Sequence, residues 1–169
     1  MGAAVKITSY MKPADSLTVI GMLCGFASAF LFSSGDMVNG IVALLAATFF
    51  DAIDGKVARS LGGASAFGKA LDFSDIVSFG VAPAFMILHF FPNEIGYASV
   101  AVFLTASLLR LARFNISDGP SVGMPTTANG VIFPALYYLQ STFGFSEYSF
   151  VVVALVSSAI MVSAFRLRK

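Results

Sequence analysis

Asp51, Asp54, Asp72 and Asp75 are the residues of this sequence best equipped for chemistry. They stand as two pairs with the same D-x-x-D spacing, in "DAIDGKVARS" (51–60) and "ALDFSDIVSFG" (70–80). Residues three apart share a helix face. Each pair therefore presents two carboxylates together, and the short stretch between them makes the two helices antiparallel neighbours whose pairs converge. Lys56, Arg59 and Lys69 could compensate part of this charge, as in a buried ion-pair cluster. The reading preferred here is divalent metal. Four carboxylates match two doubly charged cations, and hard oxygen ligands suit Mg²⁺, Mn²⁺ or Ca²⁺. Two metals bridged by carboxylates form a clamp for displacement at phosphorus.

The elements that carry these acids are apolar. The 169 residues are 57% hydrophobic and 11% charged, with a mean hydropathy of +0.86, whereas soluble domains carry about 25% charged residues. The expected fold class is an all-α integral membrane protein. Six apolar stretches approach the ~20 residues that cross a bilayer: 16–33, 37–58, 67–90, 97–114, 128–144 and 147–166. Turn residues separate them, in "SSGD", "LGGAS", "FPNEIG", "NISDGPSVGMPT" and "GFSE". Residues 1–15 lack a clean apolar stretch of the kind a cleavable signal needs, and read as an interfacial amphipathic helix. The whole is expected to form one membrane domain.

With six spans, all ten basic residues fall on one side, and the opposite loops carry only Asp36, Glu94 and Glu147. The positive-inside rule makes that side cytoplasmic, so both termini and the four acids face the cytoplasm of a multi-pass protein in the cell membrane. The single cysteine, Cys24, excludes an internal disulfide framework. A net charge of +1 gives no footprint for nucleic acid. His89 lies on the far side and reads as interfacial.

The stretch from Asp51 to Asp75 resembles the signature of the CDP-alcohol phosphotransferase family: D-x2-D-G-x2-A-R, eight residues, then G-x3-D-x3-D. Everything through Asp72 matches in type and spacing. Within the family, "VSFGVAP" (77–83), "LRLARFN" (109–115) and "GMPTTANG" (123–130) look like the branch of phosphatidylserine and archaetidylserine synthases. One feature departs from the pattern. Only two residues separate Asp72 from Asp75, where the family has three. In a regular α-helix that deletion would rotate the last acid by about 100° unless the backbone adjusts locally.

The resemblance implies transfer of a phosphatidyl-type group from a CDP-linked lipid to an alcohol, here L-serine, with release of CMP. It implies two divalent cations on Asp51, Asp54, Asp72 and Asp75, with Asp75 also acting as the catalytic base. It implies that Thr18, Asp51, Gly55, Ala58, Arg59, Ser65 and Gly68 bind the CDP-lipid. The serine carboxylate needs a cation, for which Arg110 and Arg113 are the candidates, with Lys69 a lesser one. Asn115 and Asn129 are polar groups in the right segments. Family precedent and small-x3-small spacings imply a homodimer. Two other readings compete: the same fold with glycerol phosphate or inositol phosphate as acceptor, and an ion-coupled transporter. The first would need a denser basic pocket, and the second would place acids at the midplane.

Overall fold

A computed structural model describes residues 13–60, 66–116 and 123–163. These residues are helical throughout, joined by short turns. Helix α1 spans Pro13–Ser33 and α2 spans Met37–Ser60. Pro13 opens α1 at the position where a missing N–H costs nothing, so the helix starts three residues before the expected boundary. The rest of the expected interfacial segment, residues 1–12, lies outside the described residues.

The α1–α2 turn is short because both helices end and begin with specific caps. Gly35 takes φ +87°. Its N–H bonds to the Phe32 carbonyl while that of Asp36 bonds to the Leu31 carbonyl, the double closure that a left-handed C-terminal glycine permits. Asp36 then caps α2, accepting from the Asn39 N–H at 3.2 Å. The two helices run back antiparallel in close contact. The Ser28 hydroxyl donates to the Gly40 carbonyl at 2.8 Å, and a Cβ on Gly40 would stand 2.5 Å from the Phe32 ring.

The third helical rod runs from Ala66 to Phe90 but is not uniform. It comprises α3 (Ala66–Leu71), a 3₁₀ turn (Asp72–Ser74), a π segment (Val77–Val81) and α4 (Ala82–Phe90). Proline explains part of this. Pro83 has no N–H to give the Phe79 carbonyl, its i−4 partner in a regular helix. The backbone widens there, with the Ala82 N–H reaching Val77, and the Asn129 side chain donates to the Phe79 carbonyl at 3.4 Å. A widened turn beside a functional residue is a recurring device.

Helix α5 spans Glu94–Ile116, α6 Asn129–Phe143 after a 3₁₀ turn at Thr126–Ala128, and α7 Tyr148–Val162. Phe32, Leu44, Phe79, Met86, Phe103 and Phe133 are among the fully buried side chains of the core. Many large apolar side chains face outward instead, including Leu23, Phe30, Val38, Phe49, Val102 and Tyr138. Water would not tolerate so much apolar surface, whereas lipid would. Four helices, Asp15–Ser33, Met37–Ser60, Asp72–Phe90 and Glu94–Ile116, are long and apolar enough to cross a membrane. The fold is that of an all-helical membrane protein. Helices α6 and α7 have 15 residues each, short of the ~20 of a full crossing; α7 ends at Val162, before the expected boundary at 166.

Candidate functional site

Three helical rods and one turn converge on an open cavity of about 320 Å³. Asp51, Asp54, Gly55 and Arg59 reach it from the last turns of α2, and Asp72 and Asp75 from the 3₁₀ turn region of the third rod. Arg110, Leu111 and Phe114 reach it from the end of α5, and Pro125 and Thr127 from the turn before α6. The two D-x-x-D pairs therefore share one cavity. Its lining carries four carboxylates against two guanidinium groups, an excess of two negative charges. The two guanidinium groups of the lining offset half of its carboxylate charge. Burying carboxylates in a membrane protein is costly unless they are paired or bind metal.

The shortened spacing is accommodated by the 3₁₀ turn. The Asp75 N–H bonds to the Asp72 carbonyl, an i→i−3 closure. Three residues of 3₁₀ helix rotate the chain by about 360° and advance it by about 6 Å. Four residues of α-helix rotate it by about 400° and advance it by the same ~6 Å. Asp75 thus stands at the height that a four-residue spacing would give, within about 40° of the same direction. The 100° rotation that a regular α-helix would impose does not arise, because the backbone adjusts locally.

Gly55 sits on the cavity wall, and among the described residues no atom of a neighbouring element lies within 4 Å of where a Cβ would stand. It does not pack one described helix against another. Gly25 does: a Cβ there would overlap the Ser78 side chain, which locks α1 onto the π segment. Beside the carboxylates lies a second, small space of about 10 Å³, bounded by Thr18, Asp51, Asp54, Ser74, Asp75 and Ser78 among others. That is near the volume needed for one water. The Thr18 hydroxyl hydrogen-bonds to Asp54, so Thr18 braces a cavity carboxylate from behind and does not line the open cavity itself.

The remaining expected residues fall as follows. Ala58 is half-buried and Gly68 buried, and neither lines the open cavity. Ser65 lies outside the described residues, as does the side chain of Lys69. The two arginines of "LRLARFN" separate. Arg110 lines the cavity, only 8% exposed, with its charge facing Asp75 and Asp51. Arg113 does not line it. Its guanidinium donates to the carbonyls of Met161 at 2.9 Å, Val162 at 3.1 Å and Ser163 at 3.3 Å, a cation on the open carbonyls of a helix end. Arg113 fastens α7 to α5 through these carbonyls. Asn115 is half-buried outside the lining, and among the described residues its amide nitrogen has no hydrogen-bond partner. Asn129 is fully buried beneath the site, held to Phe79 and Met161. Sequence reasoning did not single out Phe114, Pro125 or Thr127, although it had marked the segments that carry them.

The donor set fits hard divalent cations: four carboxylates, no sulfur and no imidazole line the cavity. Among the described residues no three such side chains already stand in closed ligating geometry, so binding a cation would draw these carboxylates together. Asp51, Asp54, Asp72 and Asp75 are the residues that would hold it.

The match to known proteins agrees with this chemistry. The model of the CDP-alcohol phosphatidyltransferase family matches residues 11–166. Archaetidylserine synthase of Methanothermobacter thermautotrophicus is 32% identical over 168 residues, covering 94% of this chain and 70% of that protein. A CDP-diacylglycerol–serine O-phosphatidyltransferase of Methanocaldococcus jannaschii is 29% identical over 160 residues, covering 94% and 74%. The Helicobacter pylori protein of the same name is 34% identical over 148 residues, covering 82% and 62%.

Proposed function

The chain belongs to the CDP-alcohol phosphatidyltransferase family, and from that premise we propose that it transfers the phosphatidyl or archaetidyl group of a CDP-linked lipid to L-serine. The observation that carries this reading is the shared cavity, where four carboxylates meet Arg110 and the open backbone of Gly55. Relatives named for serine transfer, matched over most of this chain, support the choice of acceptor.

In this reading the cytidine nucleotide lies against α2. Gly55 admits it close to the backbone, and the forked donors of Arg59 suit its diphosphate. Divalent cations held by Asp51, Asp54, Asp72 and Asp75 would stabilise negative charge on the diphosphate. Arg110 holds the serine carboxylate. Asp75 accepts the proton of the serine hydroxyl as its oxygen bonds to the lipid-side phosphorus. The bond from that phosphorus to the bridging oxygen breaks, and CMP leaves with the electron pair. Thr18 keeps Asp54 in place through its hydrogen bond.

The membrane arrangement we propose has six crossings, with α6 and α7 as the fifth and sixth and residues 1–15 forming an interfacial N-terminal segment. Segregation of all ten basic residues to one side supports this count and orients the site and both termini to the cytoplasm. Small residues at helix spacing support a homodimer. The deciding experiment is an acceptor screen. Purified protein with CDP-lipid and a divalent cation should release CMP with L-serine, and far more slowly with glycerol phosphate or inositol phosphate. Preference for a phosphorylated acceptor would sink the serine assignment and leave the family reaction standing.

A further inference from the structure

We propose that Phe114 is a positioning residue for Arg110, and through it sets the affinity for the carboxylate of the acceptor. The two lie four residues apart on α5, on one face of the helix, and both line the cavity. The Arg110 guanidinium carbon stands 5.3 Å from the centre of the Phe114 ring, within the range of a cation–π contact. The ring offers no nitrogen or oxygen acceptor of its own, so recognition of a carboxylate rests on the guanidinium N–H groups, while the ring beside them limits where they point.

The ring has work to do because of the opposing charges. Arg110 faces Asp75 and Asp51, which draw the guanidinium toward the carboxylates assigned to metal and base. A ring beside it limits the directions in which the arginine can swing. It also removes water from one side of the cation, which strengthens the contact. Phe114 itself is 47% exposed, so it is not a core residue whose size the fold depends on. Unlike the apolar side chains that face only outward, it lines the cavity as well. Arg113, three residues on from Arg110, anchors this end of α5 to α7 through three carbonyls, which holds the ring and the guanidinium over the cavity together.

The inference rests on the reading of Arg110 as the partner of the serine carboxylate, and the test separates the two. CMP release is measured with the purified protein while serine and CDP-lipid are varied in turn. Phe114→Leu removes the ring and should raise KM for serine roughly 3- to 10-fold, with the change confined to serine and not seen in KM for CDP-lipid. Phe114→Tyr keeps the ring and should restore KM for serine to within about twofold of wild type. Phe114→Met serves as a second ring-free variant should the leucine protein melt early. The proposal is overturned if the ring-free variants leave KM for serine unchanged, if KM for CDP-lipid rises by the same factor, or if tyrosine does no better than leucine. Arg110→Met locates the fault. If it raises KM for serine while the Phe114 variants do not, only the positioning role is lost. If it too leaves KM for serine unchanged, the assignment of Arg110 falls and the positioning role with it.

Discussion

Inserting one alanine between Phe73 and Ser74 restores a three-residue gap between the last two acids, and it should damage the enzyme. The native gap is bridged by a 3₁₀ turn closed by the Asp75 N–H on the Asp72 carbonyl. With an added residue the stretch has two ways to continue. If it stays 3₁₀, Asp75 advances by a further ~120° and ~2 Å, which takes it off the cavity face. If it relaxes to α-helix, the height is kept and the direction shifts by about 40°. A carboxylate reaching about 5 Å from a helix axis of Cα radius ~2.3 Å then moves through roughly 3 Å. Rotamer changes recover some of this, but misplacement of about 1 Å already costs on the order of 10² in rate. The same rotation carries Ser78 and Phe79, buried against Gly25 and Gly130, out of their seats.

The expected result is a loss of at least ~10² in CMP release at saturating substrates. Binding of CDP-lipid should persist, because Asp51, Asp54, Gly55 and Arg59 all lie on the untouched α2. Asp75→Asn calibrates the scale. Loss of a general base costs about 10²–10⁴, and the double variant should be little worse than the more damaging single, since both remove one function. Melting curves on the same preparations separate misplacement from unfolding. An insertion protein whose rate stays within about threefold of wild type would refute the argument that the 3₁₀ turn sets the register of Asp75.

Three further outcomes are expected. Chelation with EDTA should abolish CMP release and added Mg²⁺ or Mn²⁺ should restore it; full turnover in excess chelator would remove metal from the mechanism. Gly55→Leu should leave the melting temperature near wild type, since among the described residues no neighbouring element lies within 4 Å of a Cβ there, and should weaken CDP binding by occupying the nucleotide's space. A lowered melting temperature with unchanged CDP affinity would return Gly55 to a packing role. Arg113→Met should destabilise the protein by about 1.5–3 kcal/mol through loss of charged hydrogen bonds to the α7 end, with KM for serine held; a rise in that KM without destabilisation would restore Arg113 to the acceptor site.

What the sequence made legible follows from the range over which each feature is determined. Helix positions and the convergence of the two D-x-x-D pairs are local matters of hydropathy and spacing, and the structure reproduces them to within a few residues at most helix ends. The 3₁₀ turn was visible only as an anomaly, a missing residue between Asp72 and Asp75, because a change in helix type leaves no pattern of apolar residues behind. Pro83 was in plain view, yet its consequence depends on Asn129 meeting, from fifty residues along the chain, the Phe79 carbonyl that the proline cannot satisfy. The division of labour between Arg110 and Arg113 was illegible for the same reason. Both are arginines at the end of one helix, three residues apart, with one topological signal between them. What separates them is where α7 ends, and the open carbonyls of Met161, Val162 and Ser163 claim one guanidinium and leave the other to the cavity. A membrane helix end offers few polar partners, so each cation there is assigned by the first unsatisfied group it meets. The assignment of charged residues in this fold is therefore a question of which backbone groups are left open. Gly55 shows the complementary case at the cavity wall: among the described residues no neighbouring element fills the space beside it, and that space is what the proposed nucleotide would occupy.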